Sequence, residues 1–207
     1  MKRERGRFIV LEGGEGAGKS TCARLIRGWL RAQGRAVLMT REPGGTPLAE
    51  RIRELLLQSR GEMAPMSELL LMFAARVSHI RERILPALES GKDVVCDRFV
   101  DSSYAYQCGG RGLPARDIAV LERITLGGLR PDLVLVLDLP PRVGLSRVGR
   151  RGAADRFERA GLAFQQRVRR TFLQRARAAP QRYRVIDASR PLESVRKQLL
   201  KVLEYRL

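Results

Sequence analysis

The chain has 207 residues, 44% of them hydrophobic, and a net charge of +18; at this length one core can bury about 70% of the surface that the unfolded chain exposes. No uninterrupted apolar run approaches the roughly 20 residues needed to cross a bilayer, and MKRERGR leads only into a short apolar strand, so no transmembrane helix, no signal peptide and a cytoplasmic protein are expected. Of the 40 basic residues 35 are Arg, spread along the chain with few aromatics between them, which argues against a nucleic-acid stacking surface and suits a site that holds several phosphates.

The first predicted strand, FIVLEG (8 to 13), ends in Gly13-Gly14-Glu15-Gly16-Ala17-Gly18-Lys19-Ser20, which fits G-x-x-x-x-G-K-[ST] between a strand and a helical pattern. Glycines let successive N–H groups turn inward, the following helix adds its positive end, Lys19 reaches the terminal phosphates and Ser20 can ligate Mg2+. Nucleotide binding is therefore expected through Gly13 to Thr21. Glu15 is out of place there, because it sets a carboxylate among amides arranged for anions.

Four more strands are predicted at AVLMT (36 to 40), DVVCD (93 to 97), LVLVLD (133 to 138) and YRVID (183 to 187). Helical spacing covers 20 to 32, 47 to 58, 66 to 90, 116 to 126, 141 to 147, 157 to 178 and 192 to 204. This alternation predicts an α/β fold, one domain of parallel sheet wrapped by helices on both faces with right-handed crossovers. Cys22, Cys96 and Cys108 lack CxxC spacing and read as free thiols.

Three further stretches belong at a site: TREPGGT (40 to 46) and DRFVDSSYAYQCGGRG (97 to 112), which follow strands at their carboxyl ends, and an Arg-rich loop, SRVGRRGAADRFE (146 to 158). With the P-loop, LLLMFAARVSHI, RPDLVLVLD and VIDAS, these make the chain resemble the thymidylate kinase family over nearly its whole length. The resemblance implies the P-loop nucleoside monophosphate kinase fold with a five-stranded parallel sheet, a lid at about 147 to 160, a homodimer, and transfer of a phosphoryl group from ATP, with Mg2+, to dTMP. No nucleic-acid partner is expected.

The resemblance also implies roles. Glu15 reaches toward the acceptor's 3′-hydroxyl, unless it is a merely exposed acid. Arg98 holds the dTMP phosphate, with a surface pair to Asp101 as the alternative, and Asp97 helps organise Lys19 and the magnesium shell, with loop capping as the alternative. Thymine lies over Phe73, which reads equally well as core, and Arg76 donates to a base carbonyl. Ser103 and Gln107 lie near the base edge, Tyr106 crowds the sugar 2′ position, and Pro43 follows a cis bond. In the lid, Arg151 meets the transferring phosphate and Arg147 lies near adenine, while Arg150 and Arg156 are solvated or structural. Phe99, Cys108 and Gly149 depart from the family pattern, and His79, the single histidine, reads as a helix-surface or dimer-interface residue. Competing readings are another small nucleotide or nucleoside kinase and a nucleic-acid-stimulated P-loop ATPase.

Overall fold

Five short runs rich in Val, Leu and Ile form one parallel sheet: β1 (Phe8–Gly13), β2 (Val37–Arg41), β3 (Asp93–Asp97), β4 (Leu133–Asp138) and β5 (Tyr183–Asp187), in the order β2-β3-β1-β4-β5. The computed structural model describes residues 5–59, 62–149 and 155–207. All six residues of β1 are buried, the acid Glu12 among them, as expected of a central strand when helices cover both faces of a sheet.

The helices are α1 (Lys19–Ala32), α2 (Pro47–Gln58), α3 (Pro65–His79), α4 (Leu85–Glu89), α5 (Val100–Ser103), α6 (Ala115–Leu126), α7 (Pro141–Gly149), α8 (Leu162–Ala178) and α9 (Leu192–Arg206). Alternate strand residues point to opposite faces. Ile9, Leu11, Val95 and Leu135 meet Ile26 and Leu30 of α1 and Leu199 of α9. Phe8, Val10, Cys96 and Val134 meet Phe73 of α3 and Phe164, Val168 and Phe172 of α8. Among the described residues no helix is long and apolar enough to cross a membrane.

The strands fall within one residue of where the sequence pattern puts them, but three helical segments differ; the one expected over 157 to 178 opens with a 3-10 turn, Glu158–Ala160, and becomes α8 only after Gly161. The segment expected as one helix over 66 to 90 passes through a π-helical turn, Ile80–Ile84. Pro86 cannot donate to a carbonyl one turn back, and the wider turn before it closes through Leu85 N–H to Ile80 O. The stretch after β3, which lies outside the segments of expected helical spacing, is helical: α5 continues as a π-helical segment, Tyr104–Gly110.

Two features hide that helix in the sequence. Its first N–H groups are satisfied by Glu12 of β1, which accepts from Phe99 N at 2.8 Å and Ser102 N at 3.1 Å. Its glycine pair also serves packing, since a Cβ on Gly109 would fall 2.1 Å from Thr171 Oγ1 and one on Gly110 would fall 2.4 Å from the Phe164 ring.

Candidate active site

β1 and β3 are neighbours in the sheet, with Leu11 beside Asp97, so the loops leaving their carboxyl ends lie side by side. Gly18 caps α1 in the left-handed conformation, φ 88°, and no side chain bonds the first-turn N–H groups. Those groups and the positive helix end face the loop, an arrangement suited to phosphate. Lys19 is only 8% exposed, and its Nζ donates to Gly13 O at 3.2 Å and Gly14 O at 3.0 Å. Burial, then the nearby Arg98, holds the lysine pKa below its ordinary value.

Ser20 Oγ donates to Asp97 Oδ2 at 3.1 Å. A hydroxyl beside a carboxylate at the mouth of a phosphate cradle is a hard-oxygen set that fits Mg2+, which takes one or two protein ligands and keeps water for the rest. Gly16, Ala17 and Thr21 line the same cleft. Arg147 reaches the back of the loop, donating to Gly16 O at 3.3 Å.

A second cavity adjoins the P-loop, and Glu15, Glu42, Arg53, Arg98 and Asp155 line both spaces. Arg98 is the centre of the join. Its Nη2 donates to Glu15 Oε1 at 2.6 Å and Tyr106 Oη at 2.9 Å, and its Nη1 donates to Gly13 O at 2.9 Å. Tyr106 Oη in turn donates to Glu15 Oε1 at 2.5 Å. Burial pushes the Glu15 carboxyl up, but Arg98, Lys19 and the Tyr106 hydroxyl outweigh it and bring the pKa down to about 2. Glu15 is thus neither solvated nor idle.

Arg98 does not pair with Asp101, which accepts from Tyr183 Oη at 2.8 Å and from Arg175 Nε. Its backbone is left-handed, φ 74°, uncommon for a residue with a Cβ. Arg98 N bonds Leu11 O at 2.9 Å and Glu12 grips the next residues, so β1 holds the strained turn from both sides. Glu12 is fully buried, and desolvation followed by the Asp101 charge pushes its pKa up to about 8.

The far wall carries Arg76, Ser103 and Gln107. Arg76 Nε donates to Glu42 Oε2 at 2.7 Å, Nη1 to Ser103 Oγ at 3.1 Å and Nη2 to Phe99 O at 3.1 Å. The Glu42-Pro43 bond is cis, and Pro43 faces the cavity.

Two expectations change. Phe73 lies in the core beneath Arg76, whose guanidinium carbon sits 4.6 Å from its ring centroid, and it is not a cavity residue. Met72, one helical turn before Arg76, is the apolar residue of α3 that lines the cavity instead. His79 is fully buried, with Nδ1 3.0 Å from Glu42 Oε1 and Nε2 2.6 Å from Thr40 Oγ1. It is not a surface residue; Gly45 leaves room for its ring, which a Cβ there would approach to 2.6 Å.

Of the lid arginines, Arg150 and Arg151 lie outside the described residues. Arg156 is largely buried against Glu68, while Asp155 and Phe157 line the second cavity. Sequence reasoning missed several of these residues. An acid within an apolar strand (Glu12) or stripe (Glu68) was a visible flag. Arg53, which donates to Pro43 O at 2.8 Å, carried none, because an arginine on an amphipathic helix reads as solvated.

The family model described as thymidylate kinase matches residues 11–199. The thymidylate kinase of Pseudomonas savastanoi pv. phaseolicola (strain 1448A / Race 6) is 60% identical over 195 residues, covering 94% of this chain and 93% of that protein. That of Pseudomonas putida (strain GB-1) is 57% identical over 195 residues, again covering 94% and 93%. A crystal structure of thymidylate kinase from Ehrlichia chaffeensis superposes with a TM-score of 0.79 at 32% identity, covering 97% of this chain and 99% of that one. Next to a P-loop whose cleft shares Arg53 and Arg98 with an adjoining cavity, matches of this extent mean that the chain belongs to the thymidylate kinase family.

Proposed function

We propose that the protein transfers the γ-phosphoryl group of ATP to the 5′-phosphate of dTMP, giving dTDP and ADP, a step of dTTP synthesis. The observation that carries this reading is Arg98, which belongs at once to the P-loop cleft and to the adjoining cavity. Phosphoryl transfer needs the two phosphates aligned and their charge neutralised, with no covalent nucleophile. An oxygen of the acceptor phosphate forms the new bond to the γ-phosphorus, and the bond to the β,γ-bridging oxygen breaks.

In this reading Gly13 to Thr21 cradle the ATP phosphates, Lys19 spans the β and γ groups and Arg147 lies toward adenine. Ser20 and Asp97 would hold Mg2+, which would supply positive charge to offset that of the phosphates. Arg98 and Arg53 bind the acceptor phosphate, a task for which a planar fork of donors suits a dianion. Glu15 accepts from the sugar 3′-hydroxyl, and Tyr106 crowds the 2′ position. Arg76, Ser103 and Gln107 meet the base edge, with Met72 and Pro43 against its faces. Arg151 neutralises the transferring group. The molecule works as a homodimer; exposed Leu48 and Leu55 on α2, Met66 and Leu70 on α3, and Val120 and Ile124 on α6 give three adjacent helices apolar outer surfaces.

The test is ADP release with Mg-ATP against dTMP, dUMP, dCMP, dGMP, AMP and no acceptor, with and without DNA. Strong turnover with dTMP, weaker with dUMP and little elsewhere is expected. Hydrolysis indifferent to dTMP and stimulated by DNA would overturn the reading in favour of the +18 charge.

A further inference from the structure

Glu68, in the first turn of α3, has no exposed surface. Three donors converge on it. Gln107 Nε2 reaches Oε1 at 2.8 Å, Arg111 Nη2 reaches Oε2 at 3.2 Å, and the Arg156 guanidinium lies against Oε2 as an ion pair. A carboxylate between two guanidinium groups is stabilised as the anion, and the anion can only accept.

This constrains Gln107. A glutamine amide has nearly the same shape when turned over, but one edge donates and the other accepts. With Nε2 committed to Glu68, Oε1 is the edge left for the cavity that Gln107 lines. Arg76, on the same wall, is the opposite kind of group. Glu42, Ser103 and Phe99 fix its plane, and it has only donors to offer.

The wall therefore presents a donor beside an acceptor. Thymine and uracil present the complement, a carbonyl at position 4 beside an N–H at position 3. Cytosine presents the reverse, an amino group beside a bare ring nitrogen. Glu68, Met72 and Arg76 are spaced four residues apart along α3, so one helix face supplies the orienting acid, the apolar contact and the donor.

We propose that Glu68 is a positioning residue: it locks the Gln107 amide with its oxygen toward the acceptor base and so makes the site refuse cytosine nucleotides. The proposal rests on the reading of Gln107 as a base-edge contact. It assigns Glu68 no part in telling thymine from uracil, which share the pattern at positions 3 and 4.

The experiment compares kcat/KM for dTMP, dUMP and dCMP in the wild type, Glu68→Gln and Gln107→Leu. A glutamine at 68 can offer either edge, which frees Gln107 to turn over. The dTMP-to-dCMP ratio is then expected to fall about tenfold or more, because a site built around a buried polar contact owes its discrimination to that contact's fixed direction. The dTMP-to-dUMP ratio is expected to hold. A purely structural Glu68, including one that acts only through the lid, would depress all three substrates together, and an unchanged dTMP-to-dCMP ratio overturns the proposal.

Gln107→Leu separates the two layers. A raised KM for dTMP upholds the base-edge contact whatever Glu68 does; an unchanged KM removes that contact and the role of Glu68 with it. Should Glu68→Gln fail to fold, 15N NMR of the wild type answers the same question. One downfield Gln107 amide proton, retained when dTMP is added, supports the lock, and an averaged amide that moves on binding overturns it.

Discussion

Glu15 of the P-loop and Arg98 of the segment after β3 are joined by a 2.6 Å ion pair, so the donor and acceptor halves of the site share one charge balance. The acid in the anion cradle is thereby matched: it fixes the guanidinium that lines the adjoining cavity. Arg98→Ala is expected to raise the KM for dTMP about 10- to 100-fold, the range for losing a charge-assisted hydrogen bond, and to leave the KM for ATP within a few-fold. Steady-state kinetics with each substrate varied in turn checks this. Equal rises in both KM values would mean that Arg98 serves the loop as a whole.

Arg151 is the proposed contact to the transferring phosphate. Arg151→Ala is expected to lower kcat by ~10^3 with little change in either KM, as for other arginines that act on this transition state. A kcat within about threefold of wild type would pass the role to another lid arginine.

Glu12 predicts a pH dependence of stability. Its folded pKa, about 8, lies above the ordinary 4.5, chiefly through burial. Between those two values the unfolded chain has released a proton that the folded chain keeps. Stability from this group is therefore full below about 4.5 and is lost as pH rises through about 8. Glu12→Gln cannot ionise, so urea unfolding of the wild type should fall relative to the variant across pH 5 to 8, by at most about 1.4 kcal/mol per pH unit. Parallel curves would mean that the carboxyl is already ionised in the fold, held by Arg98 and its three donors.

Gly144 of α7 backs the P-loop, and a Cβ there would come 2.2 Å from the Glu15 carbonyl oxygen. Since the obstacle is backbone, Gly144→Ala must push the loop aside. Overpacking of this kind costs about 1–3 kcal/mol. The thermal midpoint should fall, and the KM for ATP should rise more than that for dTMP.

Thiol reactivity should be confined to one cysteine. Cys22 and Cys96 are buried, and desolvation pushes the Cys22 thiol up to about 11 and the Cys96 thiol well above its ordinary value. Cys108 is half-buried. Iodoacetamide at pH 8 should modify Cys108 in the native protein and all three cysteines in urea, as read by intact mass. Native modification of Cys22 would show that the P-loop helix opens.

The sheet was legible because its central strands β1, β3 and β4 are buried and stand out as apolar runs between turn residues, as LVLVLD does between Pro131-Asp132 and Pro140-Pro141. The P-loop was legible because a backbone task demands glycines at fixed spacing. The helical segment at 100 to 110 was not, since its start is capped by Glu12 from another strand and its Gly109-Gly110 pair answers to α8. Local propensity holds no trace of either partner. The assignment at 73 failed by one residue because LLLMF is apolar throughout, so the sequence could not say which of Met72 and Phe73 turns from the core. Glu42 and His79 were hidden likewise, as buried polar residues whose partners come from distant elements.

The left-handed backbone of Arg98 sets activity against durability. A residue with a Cβ gives up about 1–2 kcal/mol there, and glycine would not. Arg98→Gly should therefore be more stable than Arg98→Ala while sharing its kinetic defect. The chain keeps a guanidinium where its own backbone favours glycine, and screening for thermal tolerance alone would drift toward a sturdier protein without the proposed acceptor contact.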